Sequence, residues 1–128
     1  MKGRHVLLAE DVPINSDIMK MLLNAREMET DLAVNGNEAV KMFAEKPDGY
    51  YDAVLMDIRM PEKNGLDAAS EIRAMDSRDS KTIPIIALTA NAFDEDVQRS
   101  LQSGMNAHLT KPIEAEVLYE TLENLITD

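Results

Sequence analysis

Short uninterrupted apolar runs alternate with longer amphipathic stretches along the whole chain. The runs are Val6-Leu7-Leu8-Ala9, a weaker Thr30 to Val34, Ala53-Val54-Leu55-Met56, Ile85-Ile86-Ala87-Leu88 and a brief Ala107-His108-Leu109. Strands of a parallel sheet are covered by helices on both faces, so they read as continuous hydrophobic runs and not as alternation. Between the runs, apolar residues recur in steps of three and four, which places each set on one face of a helix. The sets are Ile14, Ile18, Met21 and Leu22; Ala39, Val40 and Phe43; Leu66, Ala69 and Ile72; Phe93, Val97 and Leu101; and Leu118, Leu122, Leu125 and Ile126. Breakers sit at the expected boundaries: Pro13 near the start of the first helix, Pro47-Asp48-Gly49 after the second and Gly104 after the fourth. Met75 to Lys81 reads as a solvated loop. The rhythm is βαβα and predicts five strand-helix units in an α/β fold.

Composition narrows what such a fold does. A chain of 128 residues, 45% hydrophobic and 29% charged, fits one compact domain over residues 1–128 with a real core. There is no cysteine, which excludes disulfides, thiol nucleophiles, iron-sulfur clusters and cysteine zinc sites and is compatible with a reducing cytoplasm. His5 and His108 are the two histidines, too few for a histidine metal cage and without the neighbours of a catalytic triad. Nine methionines at helical spacing are expected to be mostly core filler. The 24 acidic and 13 basic residues leave a net charge of -11, which repels nucleic-acid phosphates and anionic lipids and attracts divalent cations or a basic protein patch. No apolar run approaches the roughly 20 residues that span a bilayer, and the N-terminus lacks a signal-peptide core. A cytoplasmic monomer without direct nucleic-acid or membrane contact is expected.

Parallel α/β sheets bind ligands at the carboxyl ends of their strands, where strand order reverses. That rule selects Glu10-Asp11 after the first strand, Asp57 after the third, Thr89 after the fourth and Lys111 after the fifth. Converging carboxylates repel one another unless a cation sits among them. Oxygen-only ligands favour a hard ion such as Mg2+, which keeps several of its waters. Mg2+ beside an aspartate suits phosphoryl transfer, a chemistry of positioning and charge neutralisation. A nucleophile, a metal, a hydroxyl donor and an ammonium together suffice to make and hold an acyl phosphate. Asn35-Gly36-Asn37, by contrast, reads only as a strand-to-helix turn, far short of a dinucleotide fingerprint.

The chain resembles the receiver domains of two-component response regulators, and closely those attached to hybrid sensor histidine kinases. The resemblance rests on Glu10-Asp11, on Leu55-Met56-Asp57-Ile58-Arg59-Met60-Pro61 running to Asn64-Gly65, on Ala87-Leu88-Thr89-Ala90 and on Thr110-Lys111-Pro112-Ile113. It implies a doubly wound, flavodoxin-like (βα)5 domain with strand order 2-1-3-4-5. Asp57 would accept a phosphoryl group from a phosphohistidine on a sensor histidine kinase or histidine phosphotransfer protein. Asp11, Asp57 and the backbone carbonyl of Arg59 would bind Mg2+, with Glu10 acting mainly through metal-bound water. Thr89 would move to the phosphoryl oxygen and Lys111 would pair with it, across a cis Lys111-Pro112 bond. Arg59 and Asn91 would tune hydrolysis of the aspartyl phosphate. His108 stands where relatives usually carry a switch aromatic, and its alternative reading is a partly exposed strand residue. Two other functions fit the same rim: an aspartate-nucleophile, Mg2+-dependent phosphohydrolase, and a receiver-like interaction module that is not phosphorylated. Such hydrolases need an acid two residues after the nucleophile, where this chain has Arg59. A degenerate module would have lost Asp57, Lys111 or one of the acidic pair, and all are present.

Overall fold

The computed structural model describes residues 3–90, 99 and 101–126. In chain order its elements are β1 (His5–Ala9), α1 (Pro13–Ala25), β2 (Glu29–Ala33), α2 (Gly36–Ala44), β3 (Ala53–Asp57), α3 (Gly65–Arg73), α4 (Arg78–Thr82), β4 (Ile85–Thr89), β5 (Ala107–Thr110) and α5 (Ala115–Leu125). All strand pairs are parallel and the sheet order is β2-β1-β3-β4-β5. Order reverses between β1 and β3, which makes the carboxyl ends of those two strands the natural ligand crevice.

Alternation along each strand divides the core into two layers. Leu7, Val54, Met56, Ile85 and Ala87 face α2 and α3, where Ala39, Phe43, Ala69 and Ile72 meet them. Val6, Leu8, Leu55, Ile86 and Leu88 face the other way, against Met19 and Leu23 of α1 and Leu118 and Leu122 of α5. β3 and β4 are buried along their whole length, which is why they read as unbroken apolar runs. Asn35 and Asn64 cap α2 and α3 by accepting the backbone N–H groups of Glu38 and Asp67 at 2.8 and 2.9 Å.

Three sequence expectations need correction or fall outside the description. The buried face of α1 is Ser16, Met19 and Leu23, whereas Ile14, Ile18 and Met21 point to solvent at 67%, 48% and 71% exposure. Met75 to Lys81 is not all loop, because Ser77 caps the short helix α4 by accepting from the Ser80 N–H at 3.3 Å. Ser80 itself is fully buried, its hydroxyl donating to the Met75 and Ser77 carbonyls. Of the predicted fourth helix, Phe93 and Val97 lie outside the described residues, and Leu101 is exposed rather than packed. Four methionines, Met19, Met28, Met56 and Met105, are core residues, and Met42, Met60 and Met75 pack partly against it. No helix among the described residues is long and apolar enough to cross a membrane.

Candidate functional site

The site grows from four strand ends. β1 runs into Glu10, whose backbone N–H donates to the Ala33 carbonyl at 3.0 Å, so the chain stays tied to the sheet one residue past the strand. Asp57 is the last residue of β3, and the following Ile58 N–H donates to the Leu88 carbonyl of β4 at 3.1 Å. Thr89 closes β4, and its carbonyl accepts the Lys111 N–H at 2.7 Å, which fixes the lysine backbone just past β5. The Lys111-Pro112 bond is cis. Its ammonium reaches back to donate to Asp57 Oδ2 at 2.8 Å and Glu10 Oε1 at 3.0 Å.

Backbone donors complete the cage around the carboxylates. The Arg59 N–H donates to Asp57 Oδ1 and the Val12 N–H to Glu10 Oε2, both at 3.2 Å. Glu10 is 1% exposed, while Asp57 and Thr89 are each 5% exposed. Asp57 lies in a cleft of about 190 Å3 lined also by Asp11, Arg59, Thr89, Ala90 and Lys111.

Two buried carboxylates around one ammonium cannot both behave ordinarily. Burial raises the Asp57 pKa, the neighbouring Glu10 raises it further, and Lys111 pulls it back, leaving it at about 7. Glu10 is pushed up by burial too, but hydrogen bonding to Asp57, Lys111 and the Val12 N–H outweighs that and leaves it below the usual carboxylate range. Burial would lower Lys111, yet its bonds to Asp57 and Glu10 prevail and raise it, so it stays an ammonium. Without a further cation, the repulsion on the rim favours a proton on Asp57, which competes with the ionised form near neutral pH.

The donor set fits a hard divalent ion. Glu10, Asp11 and Asp57 each offer an oxygen within 4.8 Å of the other two, near the roughly 3 to 4 Å between oxygens on one Mg2+. A dication there would replace the retained proton and neutralise charges that Lys111 alone does not balance.

The structure therefore brings Glu10, Asp11, Asp57, Thr89 and Lys111 together as expected, with the Arg59 backbone beside Asp57. His108 stands opposite Ala87 on β5 and is exposed, outside the cleft. Asn91 lies outside the described residues. His5 sits at the other end of the sheet, its ring tilted 40° against that of Tyr50 with centroids 4.4 Å apart. Residue-type patterns missed the backbone donors of Val12 and Arg59, and they placed Gly36 in a turn and Gly65 in the motif without showing how closely backbone approaches each. A Cβ on Gly65 would lie 2.2 Å from the Asp57 carbonyl oxygen. The repeated Asn-Gly pairs at 35–36 and 64–65 were the available signal.

A doubly wound sheet with an acidic pair, an aspartate, a threonine and a lysine on one rim defines a class of carboxylate phospho-acceptors. The chain belongs to the response regulator receiver domain family, whose model matches residues 6–123. It is 38% identical over 128 residues to hybrid signal transduction histidine kinase I of Dictyostelium discoideum, covering 98% of this chain and 7% of that protein. It is also 38% identical over 114 residues to the aerobic respiration control sensor protein ArcB of Escherichia coli K12, covering 89% of this chain and 14% of that protein. The chain thus matches a small part of the length of these relatives. Among solved structures, the receiver domain of a sensor histidine kinase from Pseudomonas aeruginosa PAO1, with a magnesium ion coordinated in its active-site cleft, superposes with a TM-score of 0.88. That pair is 38% identical, over 97% of this chain and 98% of the other. A Saccharomyces cerevisiae complex of the histidine phosphotransfer protein Ypd1 with the receiver domain of the response regulator Ssk1 matches with a TM-score of 0.85 and 32% identity, covering 98% of this chain and 90% of that one.

Proposed function

We propose that residues 1–128 act as a phosphorelay receiver in which Asp57 takes a phosphoryl group from a phosphohistidine on a sensor histidine kinase or histidine phosphotransfer protein. The observation that carries this reading is the buried Asp57 carboxylate, 2.8 Å from the Lys111 ammonium and grouped with Glu10 and Asp11. An Asp57 oxygen attacks phosphorus, the bond from phosphorus to the donor imidazole breaks, and the leaving ring takes a proton from solvent. Asp57 must be ionised to attack, and its raised pKa means that a proton competes with the ionised form near neutral pH. Asp11, Asp57 and the Arg59 carbonyl would hold Mg2+, with Glu10 acting through water, and the ion would supply the positive charge that favours ionised Asp57 and neutralises the phosphoryl oxygens. Lys111 already faces Asp57 and pairs with an oxygen of the incoming group. The Thr89 hydroxyl would donate to another, and Arg59 and Asn91 would tune hydrolysis of the aspartyl phosphate.

The domain is no general enzyme in this reading; it acts only on its own phosphorylation and dephosphorylation. Arg59 cannot protonate a leaving group as a phosphohydrolase requires. A cytoplasmic setting belongs to the same reading, because histidine donors draw their phosphoryl group from ATP. A monomer suffices, since every proposed site residue comes from one chain.

The donor must bring its histidine to a carboxylate at the bottom of a cleft, so its surface has to lie across the mouth. Exposed apolar side chains stand beside that mouth: Val12 lines the cleft, and Ile18, on the same exposed stripe of α1 as Ile14, shares a hollow of about 100 Å3 with Glu10, Lys111, Pro112 and Ile113. We assign this stripe to the donor protein. Acetyl phosphate with Mg2+ tests the chemistry by intact mass: one phosphate is expected on the native chain and none on Asp57→Asn. Equal labelling of the variant would sink the assignment of Asp57, and steady turnover of small phosphate esters would favour the hydrolase.

A further inference from the structure

The loop from Ile58 to Asn64, which carries the Arg59 carbonyl, is pinned at two places. At its base the Gly65 N–H donates to the Ile58 carbonyl at 2.8 Å. At its far side it rests on the turn between β2 and α2, more than twenty residues away in sequence. There the Gly36 N–H donates to the Lys63 carbonyl at 3.0 Å, and the Asn35 side-chain amide donates to Glu62 Oε2 at 3.1 Å. Glu62 is held in the left-handed region at a φ of 66°, and the Lys63 N–H folds back on the Pro61 carbonyl at 2.7 Å. Gly36 has no need of an unusual φ; it is required for space. A Cβ there would stand 2.2 Å from the Lys63 carbonyl oxygen and 2.8 Å from its carbon, backbone atoms that cannot swing aside.

We propose that Asn35 and Gly36 are positioning residues for the phospho-acceptor site: by docking on Glu62 and Lys63 they hold the Arg59 carbonyl in register with Asp57 for Mg2+. The inference rests on the functional reading above and adds to it a segment that touches neither metal nor phosphate. Asp57 closes β3 and is anchored by the sheet, but the Arg59 carbonyl sits on a loop, and a loop held only at its base is free to tilt. Partners that orient metal ligands are worth about 10- to 100-fold in metal affinity.

Mg2+ titration of the whole chain, followed through the amide shifts of residues 57–65, tests this. Gly36→Ala is expected to weaken Mg2+ binding about tenfold and to speed amide hydrogen exchange at Gly65 in metal-free protein. Asn35→Asp keeps an oxygen to cap α2 but sets a carboxylate against Glu62, so it should weaken Mg2+ binding more modestly. Adding Glu62→Gln to Asn35→Asp reverses donor and acceptor and should restore affinity. This surface pair keeps the test decisive if Gly36→Ala fails to fold. Leu122→Ala, in α5 on the opposite face, controls for general loss of stability. Unchanged Mg2+ affinity in the folded variants, or an equal loss in Leu122→Ala, would overturn the inference while leaving the functional reading intact. Absence of any Mg2+ response in the native chain would overturn both.

Discussion

At the scale of residues, the site is a problem of too many carboxylates for one ammonium. In the unfolded chain Asp57 ionises near pH 4, about the ordinary value for an aspartate, whereas in the folded protein its pKa is about 7. Between those values the folded protein keeps a proton that the unfolded chain releases, so metal-free stability falls as pH rises and levels off once Asp57 is ionised. Glu10 runs the other way: its lowered pKa stabilises the fold above the ordinary glutamate value, a gain complete by about pH 6. Over the window from about pH 6 to 8, therefore, the Glu10 contribution is constant and that of Asp57 still changes. In EDTA, the melting midpoint of the native chain should drop by a few degrees across it, the size expected for roughly 1 to 2 kcal/mol in a domain of this length. Asp57→Asn, which cannot ionise, should lose the Asp57 part of this drop and give the flatter profile, and Mg2+ should remove the same part in the native chain by replacing the proton. A native profile as flat as that of Asp57→Asn would mean that Lys111 alone balances the rim.

At the scale of elements, α1 has two apolar stripes with different fates. Ser16, Met19 and Leu23 are buried, and Ile14, Ile18 and Met21 are exposed. Leu23→Ala should cost about 2 to 5 kcal/mol in chemical denaturation, while Ile18→Glu should move stability by less than about 0.5 kcal/mol. The two substitutions should exchange rank when a protein donor is used. Ile18→Glu is expected to lose most transfer from a phosphorylated histidine phosphotransfer protein and keep acetyl phosphate labelling. If protein-donor transfer survives Ile18→Glu, the donor does not dock on this stripe. Periodicity alone selects the wrong stripe because it fixes the spacing of apolar residues on a helix but not which side meets the sheet. The inner stripe is also disguised by Ser16, whose hydroxyl donates to the Pro13 carbonyl at 2.9 Å. The helices α2, α3 and α5, each with one apolar side, were legible from sequence, as were β1, β3 and β4, since burial on both faces leaves few polar residues in them; the partly exposed edge strands β2 and β5 give the weaker runs. Helix α4 is five mostly polar residues, and its capping serine was the one available sign. In the site, side chains at strand ends could be read from position. The Arg59 and Val12 N–H groups and the docking of Gly36 could not, because any residue supplies a backbone amide and a glycine's missing atom shows only against its neighbour.

At the scale of the whole molecule, the acidic rim sits in the field of a chain with net charge -11. The two core layers meet across one sheet, so the fold holds that charge together by apolar burial on both faces and not by pairing each acid with a base. Such a surface repels itself and draws in cations, and both effects depend on salt, since the screening length falls from about 30 Å at 0.01 M to about 8 Å at 0.15 M. Two consequences have opposite signs. Raising KCl from 10 to 300 mM should raise the melting midpoint of metal-free protein, because screening weakens repulsion that opposes the compact state. The same change should weaken apparent Mg2+ affinity, because it screens the long-range attraction of the domain while leaving the ligand oxygens untouched. Parallel melting curves and Mg2+ titrations in the two salts measure both on one sample. A Mg2+ affinity that ignores KCl would locate all of the attraction in Glu10, Asp11 and Asp57, and a midpoint that ignores it would mean that the remaining acids lie too far apart to oppose folding.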